Sequence, residues 1–134
     1  MRADNYRTIE RTLKWIIILL LVEFILGVLL TTVINFQPHK YSALQTIVLA
    51  LHIIIGIALI AGSIAHVITT RSSNLLGLKP IKGVIFTLTA FIAGGISTDS
   101  GNSWAVLIMA LGFGAAITNY GLSYIKIKAV SPSK

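Results

Sequence analysis

The sequence predicts an all-α integral membrane protein, a four-helix bundle that uses residues 1–134 as a single transmembrane domain. Three observations carry this. Of the 134 residues, 55% are hydrophobic and only 11% charged, with a mean hydropathy of +0.87, far above that of an ordinary soluble domain. Apolar runs of spanning length recur four times, separated by short polar segments. The charges lie at the ends of those runs and almost never inside them.

The first span covers residues 15–34, with Arg11 and Lys14 before it and Asn35, Pro38 and His39 in the turn after it. The segment ahead of it, MRADNYRTIERTLK, does not read as a cleavable signal, because the apolar run begins late, is long enough to span, and leads to no small-residue cleavage site. The second span covers residues 43–69. A polar loop follows, RSSNLLGLKPIK, in which Gly77 suits a turn and Pro80 the first turn of a new helix. The third span, residues 81–97, is short and rich in Thr87, Thr89, Gly94 and Gly95, so it is expected to be largely enclosed by the other helices. The fourth covers residues 104–125 and is closed by Lys126 and Lys128. Trp15, Tyr41, Trp104 and Tyr124 stand near span ends, as an interfacial aromatic belt requires.

Four spans place both ends of the chain on one side, and the basic residues choose that side. Arg2, Arg7, Arg11, Lys14, Arg71, Lys79, Lys82, Lys126, Lys128 and Lys134 fall together, while Lys40 alone falls opposite. The expectation is a multi-pass protein of the cell membrane with both termini cytoplasmic. The same asymmetry explains the formal charge of +7 without nucleic acid, and attraction to anionic lipid headgroups follows from it. A weak internal repeat sets Glu23-Phe24-Ile25-Leu26-Gly27 of the first span against Ala90-Phe91-Ile92-Ala93-Gly94 of the third. The bundle therefore reads as two related helical hairpins.

No cysteine is present, which excludes disulfides, covalently attached haem, cysteine-ligated clusters and thiol chemistry. Histidine remains the strong candidate metal ligand. His52 and His66 stand 14 positions apart in the second span, so they share one helical face within roughly 40° and lie roughly 21 Å apart along it. Gly56 and Ser63 occupy the same stripe, which suggests a shallow groove for a flat ligand or another helix. Neutral imidazole is a usual axial ligand of haem iron, so His52 and His66 are candidate ligands. The plain alternative is a histidine hydrogen-bonded to a neighbouring helix, or, for His66, one at the interface.

Glu23 is the only acidic residue within a span. Counting helical rise inward from opposite ends brings it to the depth of His52, so the two are expected to meet. An acid there is either a proton-handling group or the partner that fixes an imidazole tautomer; the alternative is a protonated acid bonding a backbone carbonyl. The remaining spans contain no histidine, so the second axial ligand must come from Met109, from a second copy across a two-fold axis, or from another subunit.

The spacing of the two histidines resembles that of membrane cytochromes b. Glu23-x-x-Leu26-Gly27, a turn with Pro38, and His52 in the next helix resemble one half of the haem A synthase family. That resemblance implies a four-helix scaffold holding haem between histidines. The family usually has glutamine at the position of Glu23, a Glu-x-x-His-Arg signature absent here, and a histidine in the helix matching the fourth span. Haem A synthesis itself is therefore not implied, while haem binding is. No phosphate loop, paired carboxylates, nucleophile triad or zinc spacing occurs, so nothing points to a self-contained enzyme. The expected function is a small b-type haem protein for electron transfer beside a respiratory or other membrane oxidoreductase. The alternative is a non-catalytic accessory subunit. The expected partners are the lipid bilayer and a homodimer mate or other membrane subunits.

Overall fold

In the computed structural model, residues 3–30, 42–71, 76–100 and 103–130 are described. They form four helices and no strand: α1 (Ala3–Val28), α2 (Ser42–Arg71), α3 (Lys79–Ser100) and α4 (Ser103–Val130). Neighbouring helices pack as α1–α2, α2–α3, α3–α4 and α4–α1, a ring of four with α1/α3 and α2/α4 on the diagonals. All four contacts are antiparallel. Ile16 packs by Gly62, Phe91 by Gly56 and Tyr120 by Gly83, and Phe24 meets Phe113 edge-on with ring centroids 6.4 Å apart. The bundle runs up, down, up, down, and Ala3 and Val130 sit at the same end.

The helices exceed the expected spans because their ends are amphipathic. α1 begins in the charged segment, where Ile9 and Leu13 fall on the buried face and continue through Ile16 and Leu20 at helical spacing. α4 runs on past Lys126 because Ile127 is fully buried. Gly77 adopts φ +56°, the left-handed turn that glycine permits, and Pro80 is the second residue of α3. At its far end α1 widens into a π-turn at Leu29 and Leu30.

α2, α3 and α4 are long and apolar enough to cross a membrane. α1 carries Arg11, Lys14 and Glu23 around a shorter described apolar run; the expected end of the first span, residues 31–34, lies outside the described residues, as do Pro38, His39 and Tyr41. The bundle turns a broad apolar surface outward, with Ile25, Ile54, Ile57, Ile68, Leu111 and Ile125 all more than half exposed, as lipid contact requires. α3 is not largely enclosed as expected. It is the most buried of the three, at 39% against 28% and 33%, yet Ile81, Ile85, Ile92 and Ile96 face outward, because in a ring of four every helix keeps an outer face.

Candidate functional site

The inner face of α2 presents His52, Gly56, Leu59, Ser63, His66 and Thr70 in succession, each buried. The helical wheel placed His52, Gly56, Ser63 and His66 on one stripe, but the stripe faces the core. The expected groove at Gly56 is filled: a Cβ there would come 2.5 Å from the ring of Phe91 and 3.0 Å from Glu23 Oε1. Gly56 is the notch that receives Phe91 of α3.

Directly above that notch lies the Glu23–His52 pair. His52 Nδ1 is 3.1 Å from Glu23 Oε1, with the side chains 9% and 1% exposed, the one imidazole–carboxyl contact among the described residues. The approach is close but not in line. Neither Nδ1 nor Oε1 completes a well-directed hydrogen bond, and Oε2 has no partner. Unpaired polar atoms at such depth are costly, about 1–3 kcal/mol each, and such a cost is characteristic of a site kept for chemistry rather than for stability.

The other edge of the His52 ring meets atoms from the three remaining helices. A Cβ on Gly94 of α3 would lie 3.5 Å from His52 Nε2 and 3.2 Å from Met109 Sδ of α4. A Cβ on Gly27 of α1 would lie 3.6 Å from His52 Cε1 and 3.6 Å from Met109 Cε. An imidazole and a thioether therefore face each other across the α2/α4 diagonal, and glycines take both corners of the α1/α3 diagonal. The repeat seen in the sequence places Gly27 and Gly94 at one level, and in space Met109 takes the place on α4 that His52 takes on α2. Met109 is buried at 6%, and its type alone gave no reason to separate it from ordinary packing.

Ser63 and His66 belong to a separate level nearer the charged end. His66 is fully buried, neither ring nitrogen has a partner, and its ring meets Tyr120 edge-on with centroids 5.9 Å apart. Tyr120 lies flush against α3, where a Cβ on Gly83 would come 2.5 Å from its ring. Ser63 is fully buried, with its hydroxyl beside that of Tyr120. The sequence signal for Tyr120 was a bulky aromatic facing the one glycine early in α3, legible only once the register of α3 and α4 is known.

The two levels differ in their fit to a haem. At His52 the donor types suit a haem: Nε2 and Met109 Sδ are an imidazole and a thioether of the kind that ligate haem iron, and Glu23 lies on the Nδ1 side. As packed, the described residues leave no opening for a macrocycle there, since even a methyl on Gly94 would come 3.2 Å from Sδ and 3.5 Å from Nε2, so haem binding requires the helices to move apart. Met109 belongs to the main core, and among the described residues Leu30 and Val48 form a second small buried cluster. At His66 the arrangement does not fit, since Tyr120 already fills the space opposite the imidazole. Because both histidines point into the bundle, a second copy docking on the outer face of α2 reaches neither ring.

Comparison with family models, curated proteins and solved structures gave no match.

Proposed function

We propose that this chain is a small multi-pass membrane protein that binds one haem b at the His52 level and carries electrons for a membrane oxidoreductase. The observation behind this reading is the convergence of His52 Nε2 and Met109 Sδ on Gly94, with Glu23 on the opposite side of the imidazole. A bound iron porphyrin supplies reversible one-electron transfer. The chain's own residues do the rest. Glu23, 3.1 Å from Nδ1, would draw that nitrogen toward itself and leave Nε2 as the donor, Met109 would offer a second ligand from the diagonal helix, and Phe91 seated in the Gly56 notch closes the core beneath them. His66, expected as a second ligand, has no part in this single-site reading. The basic end, carrying Arg7, Arg11, Lys14, Arg71, Lys79, Lys82, Lys126 and Lys128, faces the cytoplasm of the cell membrane by the positive-inside tendency.

The test is the absorption spectrum of protein expressed with haem in supply and purified without stripping it. A Soret band that disappears in His52→Ala supports the proposal, and its absence from the unsubstituted protein, or its survival in His52→Ala, refutes it.

A second reading has its own observation. An apolar hollow of about 410 Å³ lies on the outer surface between α3 and α4, lined by Thr89, Ala93 and Ile96 of one helix and Trp104, Ala105 and Ile108 of the other. Small residues flanked by exposed apolar ones suit close approach by another membrane helix, as an accessory subunit or a homodimer would need. Mild-detergent purification decides: a monodisperse haem-free monomer removes both readings, and a haem-free complex with other subunits selects this one.

A further inference from the structure

At the end of the bundle opposite the His52 level, α1 and α4 border an open surface cavity of about 320 Å³ lined by Arg7, Glu10, Arg11, Lys14 and Tyr124. Arg7, Arg11 and Lys14 recur at alternating spacings of four and three residues, so they form one stripe on α1. Glu10 makes no ion pair with any of them, and the lining keeps a net positive charge. The stripe does not stop at Lys14. Its next members at the same spacing are Ile18, Leu21 and Ile25, exposed by 37%, 47% and 64%. Trp15, beside Lys14, is 63% exposed and marks the level at which the helix passes from charged to apolar. One face thus reads as three cations around a cavity and then an open apolar track, with an interfacial aromatic flanking it at the level where the two meet.

We infer that this cavity binds the phosphate headgroup of an anionic glycerophospholipid, whose acyl chains lie along Ile18, Leu21 and Ile25. Guanidinium forks from Arg7 and Arg11 donate charge-assisted hydrogen bonds to phosphate oxygens, Lys14 adds a point charge, and the Tyr124 hydroxyl of α4 supplies a neutral polar group. The apolar track directly above the cations is what selects a lipid over a phosphate ion in solution. A zwitterionic headgroup carries its own cation and leaves the positive lining uncompensated. The inference needs only a membrane around the bundle and is independent of haem.

The chain has two tryptophans, and α4 begins at the opposite end from Lys14, so Trp104→Phe leaves Trp15 as a reporter beside the cavity. In phosphatidylcholine vesicles containing a minor fraction of brominated phosphatidylglycerol, Trp15 is quenched as if that lipid bound about fivefold or more tightly than brominated phosphatidylcholine, a factor that one interfacial cation alone can supply. Arg7→Ala with Arg11→Ala brings the two lipids to near equality. Lys82→Ala with Lys126→Ala removes the same charge from side chains that do not line the cavity and keeps the preference. Glu10→Gln, which removes the only anion, increases it. The inference is overturned if the arginine pair leaves the preference intact, if the Lys82 and Lys126 pair abolishes it equally, if Glu10→Gln lowers it, or if inorganic phosphate added to the vesicles reverses the quenching.

Discussion

Gly94→Ala tests the haem cradle at the level of one methyl group. The added Cβ would stand 3.2 Å from Met109 Sδ and 3.5 Å from His52 Nε2. The first distance is a few tenths of an ångström tight, but its neighbour is the sulfur of a side chain with three rotatable bonds, so the overpacking cost sits at the low end, about 1 kcal/mol. Alanine recovers about 1 kcal/mol over glycine within a helix. Stability therefore changes by no more than about 1 kcal/mol. Haem binding does not escape so lightly, because the methyl takes the position on which both donors converge: affinity falls about tenfold or more, or about 1.4 kcal/mol. Gly95→Ala is the matched control. It adds the same methyl one residue on, where nothing lies within 4 Å, so it keeps haem and gains up to about 1 kcal/mol. The assay pairs haem titration by absorbance with detergent-induced unfolding of each variant. If Gly94→Ala binds haem as the unsubstituted chain does, or Gly95→Ala loses as much, the cradle argument fails.

Glu23→Leu removes two buried carboxyl oxygens that complete no hydrogen bond, so stability is unchanged or raised by up to about 2 kcal/mol, while the freed ring lowers haem affinity about 10- to 100-fold; Gln at the same position lowers affinity less in the same titrations. His66→Leu removes two buried unpaired ring nitrogens and leaves the backbone carbonyl that accepts from Thr70 Oγ1 at 2.6 Å. Its stability is unchanged or raised by up to about 2 kcal/mol, with haem content unaltered, and a halved haem content would reveal a second site. Gly112→Ala presses a Cβ to 3.0 Å from Ala90 Cβ and 3.1 Å from its backbone nitrogen, which cannot yield without moving a helix, so it destabilises by about 1–3 kcal/mol in unfolding titrations. Gly114→Ala, with nothing within 4 Å, does not.

The meeting of Glu23 and His52 was legible in the sequence because helical rise is fixed, so counting inward from opposite ends brings both to one depth. The shared face of His52, Gly56, Ser63 and His66 was legible for the same reason. What that face sees was not. Whether a stripe lies against lipid, a second copy or the core depends on how the four helices are rotated about their axes, and that is set by interlocking contacts such as Phe91 in the Gly56 notch and Tyr120 against Gly83. The expected groove was lost to that rotation. Met109 could be named as one possible donor among three but not singled out, because its nearness to His52 depends on the offset between α2 and α4, which share no loop and meet only across the diagonal.

The account rests on an axial pair of one imidazole and one thioether, and the midpoint potential of Met109→His beside the unsubstituted chain tests that pair most directly. Thioether ligation raises the potential of a haem. The account predicts one one-electron couple per chain, retained in Met109→His but moved to lower potential, and absent from His52→Ala. An unchanged potential in Met109→His, or a chain that holds no haem at all, contradicts it.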